Sequence, residues 1–190
     1  MKKLVSLIFA ACAASVTTAH AAGAIQSSIH LTDSPSAAVI GDSIDWSVDF
    51  GKDPRDVVLR PRGSSASATN VIFLTPGGPT VYDIAKNGAA TTNNDRRIVR
   101  DGDTLEIAPV RVSILELPGE ITKVEASKAL RLRIKGVIDH RYIALKYLTV
   151  DDTGIKESGR LTVTTDSGKY SFGVALGAGG APVYRVATGI

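Results

Sequence analysis

Hydrophobic and polar residues alternate along much of the chain, which is the pattern of strands that bury one face of a sheet. The segment 44–50 predicts one such strand, with Ile44, Trp46, Val48 and Phe50 on its inner face. The segment 129–135 predicts another, with Leu130, Leu132 and Ile134 opposite a basic stripe formed by Arg131, Arg133 and Lys135. Further strands are predicted at 57–60, 70–75, 81–85, 104–107, 110–115, 142–148, 160–165, 170–176 and 183–187.

Turn signals separate these strands, for example Pro76-Gly77-Gly78-Pro79 and Asp166-Ser167-Gly168. No segment of helical length shows a helical period of apolar residues. Short strands with frequent turns favour sandwiches or barrels. The sequence therefore predicts an all-β fold of two small antiparallel β-sandwich-like modules in tandem.

The tandem arrangement is suggested by two versions of one pattern. Residues 70–75 lead through a turn to Tyr82, and residues 160–165 lead through a turn to Tyr170. Between the two versions, residues 89–95 are small and polar and lack aliphatic anchors, so we expect a linker there. The predicted modules are residues 22–88 and 96–190, although two hairpins of any origin can look alike.

The N-terminus has the features of a secretory signal peptide over residues 1–21. Lys2 and Lys3 precede an apolar run that is too short to span a bilayer as a helix, and Ala19-His20-Ala21 follows as a small-residue cleavage site. Lipidation at Cys12 is the alternative. We expect an exported protein, periplasmic or associated with the outer membrane, without a transmembrane segment in the mature chain.

Net charge and cysteine content exclude several classes of function. Loss of Lys2 and Lys3 with the leader takes the formal charge from +3 to +1, so electrostatic capture of nucleic acid is not expected. The one cysteine, Cys12, lies within the leader, which excludes a disulfide framework and a cysteine-rich metal site.

The candidate catalytic and metal-binding residues are few. Asp139-His140 is a pair without a nucleophile motif, and His30 stands alone. Asp101-Gly102-Asp103 and Asp151-Asp152 supply oxygen ligands but lack the spacing of a calcium loop and fit turns better. We therefore expect no enzyme activity, no cofactor and no metal.

Several of these residues resemble the N-terminal β-sandwich of the CagX/TrbG family, the periplasmic core subunits of type IV secretion and conjugation machines, and to a lesser degree TraK. The second version of the pattern departs from the family, because it has Leu130 at the position that Trp46 occupies in the first version. No counterpart of the family's C-terminal domain is evident. The resemblance therefore implies a periplasmic scaffold rather than an outer-ring subunit. The residues that carry the resemblance are Trp46, Leu59-Arg60-Pro61, Thr69-Asn70, Thr75 and Tyr82, then 117–124, 161–165 and 170–172.

The last predicted strand follows Gly177-Ala178-Gly179-Gly180, which we interpret as a flexible joint. Such a strand can fold onto its own sheet or add to the edge of a neighbouring subunit. The candidate interaction residues are accordingly the basic stripe Arg131, Arg133 and Lys135, together with Val183, Tyr184, Arg185 and Val186.

The expected function is a non-enzymatic structural component of an envelope-spanning secretion or conjugation apparatus, acting as a homo- or hetero-oligomer with other envelope subunits. A pilus or adhesion module and a secreted ligand-binding β-protein are the alternatives.

Overall fold

A computed structural model describes residues 26–127, 132–147 and 158–187. The predicted signal peptide, Arg131 and the acidic pair Asp151-Asp152 lie outside these residues. The described chain is all-β, as predicted, and consists of sixteen strands. The strands are β1 (Ser27–His30), β2 (Ala37–Ile40), β3 (Trp46–Phe50), β4 (Asp56–Pro61), β5 (Thr69–Thr75), β6 (Gly78–Ile84), β7 (Ala90–Asn93), β8 (Arg96–Val99), β9 (Thr104–Ile107), β10 (Val112–Glu116), β11 (Ile121–Ala126), β12 (Leu132–Asp139), β13 (Tyr142–Tyr147), β14 (Ser158–Thr165), β15 (Gly168–Leu176) and β16 (Val183–Val186).

The strands form four sheets, and each sheet draws its strands from one half of the chain. Sheet A has the order β1-β4-β3 and sheet B the order β2-β5-β6-β7, both within the N-terminal half. Sheet C has the order β12-β13-β10-β16-β8 and sheet D the order β11-β14-β15-β9, both within the C-terminal half. Sheets A and B are antiparallel, whereas C and D also contain parallel pairs that involve β8, β9 and β16.

The two halves repeat one topology. Six strands of the N-terminal half pair in the orders β1-β4-β3 and β2-β5-β6, and six strands of the C-terminal half pair in the orders β10-β13-β12 and β11-β14-β15. All of these pairs are antiparallel, and the strand numbers differ by the same offset throughout. This repeat of chain order and pairing is what an internal duplication would produce. The exact module boundaries stay a prediction.

Three clusters of buried side chains show that the sheets stack in the sequence A, B, C, D. One cluster fills the space between A and B, a second joins B to C, and the third and largest joins C to D. Sheet B therefore buries Val71 and Phe73 toward A and Ile72 toward C. Burial on both faces explains why the central strands β5 and β10 are nearly continuous apolar runs rather than alternating ones.

Two local predictions were wrong, and the expected linker has structure of its own. Ile44 is 75 % exposed, because it lies before β3 in a turn where Asp42 Oδ1 accepts the N–H groups of Ile44 and Asp45. Phe50 is half-exposed at the end of β3, although its ring contacts Phe73 edge-on. The expected linker 89–95 contains β7, which pairs with β6 along its whole length, since backbone pairing needs no aliphatic anchor.

Polar contacts fix the junction between sheets B and C. Asn70 is fully buried on β5, and its amide donates to Val112 O and accepts from Val112 N, both at 2.8 Å. The hydroxyl of Thr69 donates to Val110 O at 2.6 Å. Val110 has a φ of +52°, a left-handed conformation that costs a β-branched residue energy. The junction is therefore a specific, partly strained connection.

A glycine is required where the N-terminal half contacts the segment before β10. A Cβ at Gly41 would lie 2.5 Å from Val110 O and 2.6 Å from the Thr69 hydroxyl. Any side chain at this position would therefore push apart the segments that Asn70 and Thr69 hold together.

Candidate protein-interaction site

The candidate site lies on the face of sheet C that points toward sheet B. Side chains on this face follow from the strand register, because laterally paired residues share a face. One row across β10, β16 and β8 is Ile114, Val183 and Arg96, and the next row is Glu116, Arg185 and Ile98. Sheet B covers Ile114 and Val183 in the first row. The second row extends beyond that cover and opens into a cleft.

The cleft has a volume of about 440 Å³ and combines apolar walls with two guanidinium groups. Its ionisable groups are the carboxylate of Glu116 and the guanidinium groups of Arg141 and Arg185. It is lined by Ile98, Glu116, Leu117, Pro118, Arg141, Arg185, Val186 and Ala187.

Glu116 forms the charged floor of the cleft. Its side chain is only 9 % exposed, and its Oε2 accepts from Arg185 Nε at 2.8 Å. Arg141 Nη2 lies 3.7 Å from Glu116 Oε1, while Arg141 Nε donates to Leu117 O at 3.1 Å. The two guanidinium groups are half-exposed, and together with Glu116 they leave one net positive charge. Each retains N–H donors that no group in the described part of the chain accepts.

The predicted interaction strand lies in the middle of sheet C. β16 pairs in parallel with β10 on one side and with β8 on the other, so both of its edges are occupied. Arg185 and Val186 line the cleft, whereas Val183 is buried against sheet B. In this fold, β16 could add to a neighbouring subunit only by leaving its own sheet.

Tyr184 anchors β16 from the opposite face of sheet C. Its hydroxyl donates to Glu106 O at 2.6 Å and accepts from Ala181 N at 3.1 Å. Burial raises the pKa of the Tyr184 phenol above its ordinary value. Arg97 lies over the ring, 5.9 Å from its centroid. Tyr184 is therefore a core residue that holds β16 in place, and it is not accessible to a partner protein.

The glycine-rich segment before β16 is closely packed rather than a flexible joint. A Cβ at Gly180 would lie 2.4 Å from Glu106 O, and one at Gly179 would lie 2.7 Å from Glu106 Oε2. Gly177 N donates to Ile107 O at 3.1 Å. These glycines allow close backbone approach, which the sequence alone does not separate from flexibility.

The basic stripe falls on the other edge of sheet C. Arg133 and Lys135 belong to β12, whose described neighbour is β13 alone, and the register shifts after Lys135 and after Val137. Bulges of this kind are common on edge strands. The side chains of the stripe lie outside the described residues, so their role stays a prediction.

The acidic turn and the exposed histidine have structural partners. Asp101 Oδ1 accepts from Ser171 N at 2.6 Å, and Asp103 Oδ2 accepts from Arg100 N at 2.7 Å. His140 Nδ1 lies 2.8 Å from Glu120 Oε1. No group of three metal-ligating side chains occurs within residues 26–127, 132–147 and 158–187. These contacts support the turn interpretation of Asp101 and Asp103.

The candidate interaction residues include Arg185 and Val186 but not the other six cleft residues, among them Ile98, Glu116 and Arg141. Ile98 follows two arginines in a short strand that the pattern did not predict, Arg141 lies in a hairpin turn, and Glu116 lies near the end of an apolar run. The one available signal was Glu116, because an acidic residue at the end of the run 112–117 needs a cationic partner if it is buried. The partner, Arg185, is distant in sequence and becomes adjacent only through the pairing of β10 with β16.

Comparison with protein-family models and with curated proteins found no match in either case. In the described parts of the chain, no helix of sufficient length and hydrophobicity to cross a bilayer is present.

Proposed function

We propose that this protein is a non-enzymatic structural subunit that docks other proteins in an envelope-spanning assembly. The observation that supports this proposal is the second row of sheet C, which consists of Glu116, Arg185 and Ile98 and opens into the cleft. The same sheet is covered by sheet D on one face and by sheet B on part of the other, yet Ile98 is exposed and Arg185 is half-exposed beside the buried carboxylate of Glu116. An exposed aliphatic side chain beside half-exposed guanidinium groups is typical of a protein-binding surface.

The stack of four sheets supports a scaffold role. The junction at Asn70 and Val112 joins the two halves through buried hydrogen bonds. A subunit built in this way presents its surfaces in a fixed relative orientation, which an assembly with defined geometry requires.

The setting that we propose is a type IV secretion or conjugation apparatus, reached after export. This part of the proposal depends on the leader-like residues 1–21 and on the resemblance to the CagX/TrbG and TraK proteins. The resemblance concerns Trp46 and the positions at which strands end in turns. Trp46 is buried between sheets A and B and donates from Nε1 to Ser67 O at 2.8 Å.

Site-specific photo-crosslinking in the producing cell tests the proposal. A photoreactive amino acid at Ile98 should crosslink to subunits of an envelope machine, while the same group at exposed Ile44 serves as the matched control. Cell fractionation and N-terminal sequencing should place the mature chain outside the cytoplasm with Ala22 first, or with a lipidated Cys12. Cytoplasmic retention, or crosslinks from Ile98 no more specific than those from Ile44, would contradict the proposal.

The cleft also supports a second candidate, a secreted ligand-binding protein. Its volume of about 440 Å³ falls within the range of small-molecule sites. Paired guanidinium groups recognise carboxylates. A dicarboxylate such as succinate should then raise the melting temperature, and Arg185→Gln should abolish that rise. An unchanged melting temperature at millimolar succinate would favour the docking function.

A further inference from the structure

Three large hydrophobic side chains are exposed in the described part of the chain, and two of them lie at strand edges. Phe50 ends β3, the outer strand of sheet A, and is 48 % exposed. Ile98 lies on β8, the outer strand of sheet C, and is 71 % exposed. Ile44, the third, lies in the turn before β3.

The backbone of β3 has an open hydrogen-bonding edge at Val48 and Phe50. Arg62 N donates to Asp45 O, and Gly51 N donates to Asp56 O, so residues 45, 47, 49 and 51 face β4. Alternate residues of an antiparallel strand face opposite sides. The N–H and C=O groups of Val48 and Phe50 therefore point away from β4.

The backbone of β8 is open in the same way. Val99 O accepts from Ala187 N, so the polar groups of Val99 face β16. By the same alternation, the N–H and C=O groups of Ile98 face away from β16. On both strands, the exposed hydrophobic residue is also a residue whose backbone groups lack a partner strand among the described residues.

The charges of the two edges are complementary. Asp49 precedes Phe50, and its Oδ2 lies 2.9 Å from Arg60 Nε while its other oxygen has no partner among the described residues. Arg97 precedes Ile98 and donates once, from Nη2 to Gly179 O. Residues 26–93 carry seven acidic and five basic side chains, whereas residues 94–190 carry twelve acidic and fifteen basic ones. Opposite net charges favour contact between the N-terminal half of one copy and the C-terminal half of another.

We propose that copies of this protein associate head to tail, with the β3 edge of one copy adding to the β8 edge of the next. In an antiparallel pair with Phe50 opposite Ile98, the open backbone groups of these two residues bond each other and their side chains pack together on the cleft face. On the other face, Asp49 then lies diagonally across from Arg97, within reach of its long side chain. The contact is heterologous and generates a ring or a filament. This inference rests on the proposed structural role and deepens it by naming a second copy as the partner.

A mixing experiment with purified mature protein tests the inference. Phe50→Glu blocks the β3 edge, and Ile98→Glu blocks the β8 edge. Sedimentation equilibrium should show concentration-dependent association of the wild type and monomers for each variant alone. An equimolar mixture of the two variants should stop at a heterodimer, because each supplies the edge that the other lacks. Ile44→Glu is the matched control and should associate like the wild type.

A charge-reversal pair tests the same contact with Phe50 intact, so the test does not depend on correct folding of Phe50→Glu. Asp49→Lys and Arg97→Asp should each raise the dissociation constant about tenfold, and their mixture should recover association through the reversed pair. A monomeric wild type, a mixture of edge variants that stays monomeric, or an Ile98→Glu variant that associates like the wild type would overturn the inference. Crosslinks from Ile98 to a different envelope protein, with a monomeric purified protein, would overturn it while leaving the proposed function intact.

Discussion

The junction between the two halves can be tested at Asn70. Ile114 N donates to Pro182 O, just before β16, but β16 begins too late to reach Val112. The amide of Asn70 takes that place and bonds both the N–H and the C=O of Val112. Asn70→Ala removes both partners at a position that is sealed from water, since Asn70 is 0 % and Val112 is 1 % exposed.

The size of the effect follows from those two hydrogen bonds. Each buried polar group that loses its partner costs about 1–3 kcal/mol, so the loss of partners for the N–H and the C=O of Val112 should lower the free energy of unfolding by about 2–6 kcal/mol. That is a large part of the roughly 5–15 kcal/mol that folded proteins possess. Asn93→Ala is the matched control. Asn93 donates to Asp83 and accepts from Asp95 N near the surface, where water can replace the lost bonds, and the expected cost is about 1 kcal/mol or less.

Urea denaturation followed by two probes measures the effect. Trp46, the single tryptophan, reports on the core between sheets A and B, while far-UV circular dichroism reports on all sheets. Asn70→Ala should lower the transition midpoint and separate the two probes, because the halves lose their shared contacts. If Asn70→Ala costs no more than Asn93→Ala, the junction does not couple the halves and the reasoning is refuted.

Three further predictions concern backbone strain, ionisation and the last strand. Val110→Asn should raise the free energy of unfolding by about 1 kcal/mol, because asparagine tolerates a φ of +52° better than valine does; an unchanged or lower value in urea melts would contradict the strain. Hydrogen bonds from the Arg55 side chain and backbone lower the pKa of Asp53 to about 2, so NMR titration should show that pKa, and Arg55→Ala should return it toward 3.8. Because that pKa is lowered, any stabilisation it gives is present at neutral pH and is lost as the pH falls from about 4 to about 2. Truncation after Gly180 should unfold the C-terminal half while Trp46 fluorescence persists; a folded core with unchanged oligomer size would mean that β16 supports neither folding nor assembly.

The all-β class and most strands could be predicted from the sequence, because alternation and turn residues are local properties. The predicted strand 104–107 matches β9 in both bounds, and the hairpin of β5 and β6 lies where the pattern placed it. Strands β1, β2, β7, β8 and β11 were missed, since they are short or carry few aliphatic residues. The repeat was visible as two similar hairpins, while its full extent emerged from strand pairing.

Tertiary structure decided which surfaces are buried and therefore where the candidate site lies. Local pattern cannot show that Ile44 stays outside while Trp46 goes inside, because a turn intervenes. It cannot show that β16 enters the centre of sheet C, or that Glu116 meets Arg185, because those contacts join residues far apart in the chain. The sequence by itself determined which segments can be strands, whereas the stacking of four sheets determined which of their faces remain open.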